Sequence, residues 1–198
     1  MGRLILHMQT SIDGCVDSHV PGSTWNLWDW GPDWPWSPDL RKRFNDLLDS
    51  VSGIVLSRPM VSEGYLDHWK RTADQHPGDP DHRFAHRIGE LPKFVITEHG
   101  TASAWPNTTV VTGPLAESTR QAKAAATGDL VCFGGAGFAR ALLRHDLVDD
   151  LLLAVNPGVA GDGPRIFDAS MAHDSYELAE AFPSACGILL VHWAKRRR

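Results

Sequence analysis

Short apolar runs, each closed by turn residues and set apart by stretches of helical spacing, dominate the hydrophobic pattern. The first run, Leu4 to Met8, ends in Ser11-Ile12-Asp13-Gly14 and reads as a buried, central strand followed by a turn. From Asp17 to Pro38 the chain is neither helical nor extended in pattern, with Trp25, Trp28, Trp30, Trp34 and Trp36 set among Pro, Gly and Asp. Ser37-Pro38 then forms an N-cap and first helical position, and Leu40, Phe44, Leu47, Leu48 and Val51 follow at helical spacing. Gly53–Leu56, Lys93–Thr97 and Thr109–Thr112 read as further strands. The stretch between the first two of these, Asp67–Glu90, is polar with little periodicity. Pro114–Thr127 predicts a helix, Asp129–Phe133 a strand, Gly135–His145 a helix and Leu151–Val155 a strand. Val, Ile and Leu runs alternating with helices imply crossover connections and a mainly parallel sheet covered on both faces. Tyr176–Ala181 and Ile188–Ala194, around Pro183–Gly187, add an antiparallel hairpin at one edge.

At 198 residues with 42% hydrophobic content, the chain fits one α/β domain that buries its core without staples. Three cysteines, far apart and without a CxxC pair, argue against a disulfide framework or structural zinc and for a reducing, cytoplasmic setting. No run approaches the roughly 18 apolar residues of a membrane span, and no charged-and-apolar leader opens the chain, so a soluble, unprocessed protein is expected. The net charge is −5, and four of the nineteen Lys and Arg fall in the last four residues, leaving fifteen against twenty-four acids upstream. An acidic body of this kind does not suit nucleic acid.

Candidate chemistry gathers at strand ends. Gly134-Gly135-Ala136-Gly137 lies between a predicted strand and helix, where backbone N–H groups and the helix dipole attract phosphate; a tight turn alone would also use glycine there. Ser57-Arg58 follows the second strand, at the carboxyl end where open α/β sheets place ligands, and Arg58 is either a phosphate contact or a partner for a loop carboxylate. Asp13 and Asp39 are candidate proton donors, if an apolar pocket raises their pKa, or simply turn and helix-start residues. Among the tryptophans, Trp36 is the first choice for lining a substrate pocket. His76, His82 and His86 with Asp79 and Asp81 read as a surface loop rather than a metal site. Ser57, Ser103 and Ser184 lack a nucleophile elbow.

Several of these pieces together resemble the dihydrofolate reductase superfamily, and within it the C-terminal reductase domain of the bacterial bifunctional riboflavin-biosynthesis deaminase-reductase. They are Ser11–Gly14, Leu56-Ser-Arg58, Lys93–Thr97, Val131–Leu143, Leu147-Val-Asp-Asp-Leu151 and Asn156–Phe167, in that order. The resemblance implies a three-layer sandwich and a homodimeric reductase that moves hydride from NADPH, or NADH, to a pterin-like or flavin-precursor-like ring. It assigns Gly134, Gly135, Ala136, Gly137 and Phe138 to the pyrophosphate and nicotinamide. Ser57, Arg58 and Thr97 go to the ribose phosphates, and Ile12 to Gly14 to the border of nicotinamide and substrate. It also makes Asp39 the leading proton donor. Two departures bear on the cofactor: Met60 stands where the family often has a hydroxyl, and Glu98 where it often has an arginine. A carboxylate near a 2′-phosphate leaves NADPH and NADH both open. Direct riboflavin biosynthesis is not expected, since no deaminase domain precedes this one and no phosphate motif for a substrate ribose is visible. The Gly158–Gly163 loop reads as a sheet connection. The alternatives are a non-catalytic ligand-binding module on the same fold and, more weakly, a metal-dependent hydrolase built on His76–His86.

Overall fold

The computed structural model describes residues 2–21, 36–100, 105–171 and 175–196. Trp25, Trp28, Trp30, Trp34 and Ser103 lie outside them. The strands are β1 (Leu4–Thr10), β2 (Gly53–Ser57), β3 (Lys93–Thr97), β4 (Thr108–Thr112), β5 (Leu130–Cys132), β6 (Asp150–Val155), β7 (Tyr176–Pro183) and β8 (Leu189–Lys195). The helices are α1 (Pro38–Ser50), α2 (Arg58–Ser62), α3 (Tyr65–Gln75), α4 (Arg83–Glu90), α5 (Leu115–Ala125) and α6 (Ala136–Arg144). The strands form one sheet in the order β4-β3-β2-β5-β1-β6-β8-β7. All pairs from β4 to β6 are parallel, and β8 and β7 run antiparallel at the edge. The parallel sheet and terminal hairpin thus match the sequence pattern, with element ends shifted by one or two residues.

Every residue of β1 is buried, as a strand with parallel neighbours on both sides and helices on both faces requires. Its side chains alternate. Leu4, Leu6 and Met8 join the core under α5 and α6, which contribute Ala122, Ala139 and Leu142. Ile5 points the other way, into the core formed with α1, α3 and α4. His7 shares that face, its ring 5.5 Å from the ring of Phe44. Ser37 caps α1 by backbone conformation, with Pro38 in the first turn.

The polar stretch Asp67–Glu90 differs from its sequence reading. It holds α3 and α4, joined by a 3₁₀ turn at Pro80–His82. Each helix buries a narrow stripe, Leu66, Trp69 and Ala73 on α3 and Phe84, Ala85 and Ile88 on α4. Three apolar residues per helix, interrupted by Pro77, Gly78 and Pro80, are too few to show a period in the sequence, and tertiary packing supplies what periodicity lacks. Buried Asn45 secures the segment: its Oδ1 accepts from the Phe84 N–H at 2.7 Å and its Nδ2 donates to the Pro80 carbonyl at 3.0 Å. Lys93 is also buried, and its Nζ donates to the carbonyls of Gly89 and Leu91 at the end of α4. The cation sits where the helix dipole favours one, and burial draws its pKa down to about 8.

In the turn between α3 and α4, Asp79 accepts from His82 Nδ1 at 2.7 Å and from the Asp81 N–H at 2.9 Å. The rings of His76 and His82 stack at 3.8 Å and 4°. The ligand atoms of His76, Asp79 and His82 lie within 4.8 Å of one another, a grouping that could take a metal ion, and the hydrogen bonds within it close the turn.

Candidate active site

The carboxyl ends of the parallel strands meet in a cleft made of two joined cavities, of about 500 and 450 Å³. Each is of a size that holds a small molecule. Met60, Glu63, Gly135 and Ala136 line both. We refer to them as the outer and inner cavities.

The outer cavity gathers Ser57 and Arg58 from the end of β2, Thr97 and Glu98 from the end of β3, and Gly135 to Phe138 from the start of α6. Gly135 is the N-cap of α6, so the first N–H groups of that helix, which have no acceptor within it, open toward the cavity with the positive end of the dipole. A Cβ added at Gly135 or Gly137 would meet nothing within 4 Å, which leaves the backbone approachable. Gly134 is different: its φ of +60° and the Met8 Sδ 3.2 Å from an added Cβ make it a structural glycine that brings β5 and α6 close together. Arg58 donates Nη1 to the His99 carbonyl at 2.8 Å, and the Thr97 hydroxyl donates to the same carbonyl at 3.0 Å. Both side chains therefore hold the turn after β3 while bordering the cavity. The residues expected at the cofactor, Ser57, Arg58, Thr97 and Gly135 to Phe138, thus come together in one place.

The inner cavity has aromatic walls, Phe44, Tyr65, Trp69 and Phe133, with His7 and Gln9 on its β1 side. His7 packs its ring against Phe44 and Phe133 at 5.5 and 5.7 Å. Complete burial pushes its pKa down to about 4, so the imidazole is neutral at neutral pH. Gln9 Oε1 accepts from Asn156 Nδ2 at 3.4 Å. On α3, burial and the nearby Arg71 charge hold the His68 pKa below its ordinary value, and its buried Nε2 has no hydrogen-bond partner among the described residues. Asp17 and Glu63 supply the carboxylates. Sequence reasoning missed His7, Gln9, Glu63, Tyr65 and His68. A signal existed for the first two: His7 and Gln9 are polar residues two apart on a strand that is apolar around them, and so share one face.

Five expected residues lie elsewhere. Trp36 is 3% exposed and packs edge-on against Phe44 at 5.5 Å, behind the cavity rather than lining it. Asp39 lies in the first turn of α1 and accepts from the Ala185 N–H of the β7–β8 hairpin at 3.1 Å. The Ser37 hydroxyl and backbone N–H groups keep its pKa below the ordinary carboxylate range, not above it. Asp13 also departs from the expected upward shift, because the Ser11 hydroxyl and the N–H groups of Ala160 and Gly161 hold its pKa at about 2. Its two oxygens accept from those N–H groups at 2.9 Å each. Ile12 and Gly14 flank this clasp, and Ile12 is 64% exposed. The same segment instead reaches the inner cavity with Val16 and Asp17.

The Gly158–Gly163 loop is the other half of the clasp. Ile12, Val16 and His19 donate backbone N–H groups to Gly158, Pro164 and Asp162. A Cβ at Gly163 would stand 2.0 Å from the Asp17 carbonyl, so only glycine permits this approach. The loop is a sheet connection that braces the β1 exit. Because the folded pKa of Asp13 lies below its ordinary 3.8, the clasp contributes stability above about pH 4 and loses it as pH falls through about 2. Acid unfolding followed by circular dichroism should show this slope in the native protein, and Asp13→Asn should flatten it.

The sequence profile of the RibD C-terminal domain family matches residues 3–190, nearly the whole chain. The chain belongs to this family. Its fold agrees with solved structures of RibD proteins and of a dihydrofolate reductase. The deaminase/5-amino-6-(5-phosphoribosylamino)uracil reductase of Thermotoga maritima superposes with a TM-score of 0.62 at 16% identity, covering 98% of this chain and 57% of that one. The chain therefore spans little more than half of that bifunctional protein. A pyrimidine reductase-like protein from Corynebacterium diphtheriae gives 0.58 at 14% identity, covering 100% and 93%. The dihydrofolate reductase of Enterococcus faecalis, in complex with NADP(H) and RAB-propyl, gives 0.58 at 13%, covering 99% and 98%. At these identities the likeness establishes the fold, a dihydrofolate-reductase-like sandwich. A search of curated protein sequences finds no match. Among the described residues, no helix is long and apolar enough to cross a membrane.

Proposed function

We propose that this RibD C-terminal domain protein is an NAD(P)H-dependent reductase that transfers hydride to a small heteroaromatic ring, pterin-like or flavin-precursor-like. The observation that carries the reading is the pair of cavities sharing a wall at Gly135 and Ala136, one equipped for phosphates and the other lined with aromatic rings. The outer cavity fits a dinucleotide: the α6 N-terminus would take the pyrophosphate, and Arg58 and Thr97 the adenosine-side phosphates. A dihydronicotinamide bound there supplies the hydride. The protein positions the ring in the inner cavity, keeps water from it with Phe44, Trp69 and Phe133, and offers His7, Gln9 and His68 as neutral hydrogen-bonding groups. A homodimer joined along the free edge of β7 belongs to the same reading.

Glu98 and Glu63 border the outer cavity beside Arg58, and two carboxylates near one guanidinium oppose a 2′-phosphate. Titration of the protein with NADPH and then NADH, followed by energy transfer from tryptophan to the dihydronicotinamide, tests both points. Saturable binding is expected, with Arg58→Ala weakening it about tenfold, or ~1.4 kcal/mol. Absence of binding by either dinucleotide would favour the non-catalytic module.

A further inference from the structure

We infer that the inner cavity is built for a flat ring compound that carries no phosphate, either uncharged or cationic. The inference rests on reading the outer cavity as the cofactor site, and it adds the charge of the substrate. Proteins recognise phosphate with Arg, Lys or the N-terminus of a helix. In this cleft the α6 N-terminus borders both cavities, but the cationic side chain is confined to one. Arg58 borders the outer cavity and not the inner one, where no Lys or Arg appears among the described lining residues. The ionised side chains of the inner cavity are carboxylates, Asp17 and Glu63. Burial disfavours protonation of both His7 and His68, and the Arg71 charge near His68 adds to it there.

The chain between β1 and α1 cannot supply the missing cation. From Leu4 to Leu40 the sequence contains no Lys or Arg and five aspartates, Asp13, Asp17, Asp29, Asp33 and Asp39. Residues 22–35 therefore add only negative charge wherever they lie. A phosphate dianion in the inner cavity would find no side-chain cation among the described lining residues and would meet the exposed carboxylates of Asp17 and Glu63, so the cavity favours a neutral ring over an anionic one. The α6 N-terminus borders both cavities, but a phosphate drawn to it from the inner side would compete with the cofactor for the same N–H groups.

The remaining chemistry suits a heterocycle. The neutral imidazole of His7, the Gln9 amide and the Nε2 of His68, unpartnered among the described residues, can exchange hydrogen bonds with ring nitrogens and carbonyls. Phe133, Tyr65 and Trp69 give stacking surface. A ring with exocyclic amino groups, or one that is protonated, would also gain from Asp17 and Glu63.

The test uses matched pairs: an aminouracil ribonucleoside, a ribosylpterin and riboflavin, each with its 5′-phosphate, titrated calorimetrically into the protein with and without saturating cofactor. The tightest ligand is expected to be an unphosphorylated member that binds at least tenfold better than its phosphate. In the double variant Asp17→Asn, Glu63→Gln that preference should fall below threefold. A phosphorylated member as the tightest ligand, no binding by any pair, or an unchanged preference in the double variant would each overturn the inference. Failure of both dinucleotides to bind, with the ring preference intact in their absence, would instead sink the reductase reading and leave the ring site standing.

Discussion

Replacing Gly135 by valine is expected to weaken NADPH or NADH binding at least 100-fold, about 2.7 kcal/mol, while leaving the melting temperature within a few degrees of the parent. The residue is the N-cap of α6 and lies in the wall common to both cavities, and a Cβ built there meets no atom within 4 Å. The new side chain therefore enters space that a ligand would use and disturbs no packing. The control is the neighbouring glycine. At Gly134 the backbone has φ +60° and an added Cβ comes within 3.2 Å of Met8 Sδ and Ala139 Cβ, so Gly134→Val should lower stability first. Dinucleotide titration and thermal melts of the two variants separate the effects. Full affinity in Gly135→Val would remove α6 from the cofactor site.

A second large effect is expected at Phe84. Phe84→Ala should destabilise the protein by about 3–5 kcal/mol, as for other buried phenylalanines, and lower the melting temperature by roughly 6–20 °C in a domain of this size. The side chain is 1% exposed, with rings of Phe44 and Trp69 each 5.3 Å away. It does not line the inner cavity, so the loss comes from packing. Were the region around His76, His82 and His86 the surface loop that its sequence suggests, the change would stay near 0.5 kcal/mol. Chemical denaturation of the variant decides between the two.

The contrast at Phe84 shows where the chain is legible and where it is not. The strands of the parallel sheet, the glycines before α6 and the place of Arg58 all follow from local signals: a run, a turn, a helix start. They came out in register with the structure because each is written within some ten residues. α3 and α4 could not be read that way, since each commits only three side chains to the core. The two carboxylates failed for a related reason. Asp13 and Asp39 look like acids at a pocket mouth, yet the N–H groups that fix them belong to Ala160, Gly161 and Ala185, nearly 150 residues along the chain. Distant backbone, invisible in a local pattern, turned both into structural clasps. The inner cavity joins α1, α3, β1 and the segment that follows β5, which no single motif spans.

The strand order carries a further consequence for how the molecule is made. β1 pairs on one side with β5, Leu4 opposite Leu130, and on the other with β6, Ile5 opposite Asp150. β2 takes its inner partner from β5 as well, so the first two strands synthesised do not touch each other. The middle of the sheet closes only when a three-residue strand from about two thirds of the way along the chain slides between them. Such distant pairing makes for slow folding, because the loop entropy is lost before the contacts that compensate it form. Until residue 130 is available, β1 and β2 present bare, apolar edges to any other chain nearby, and the yield of native protein depends on how soon that strand arrives.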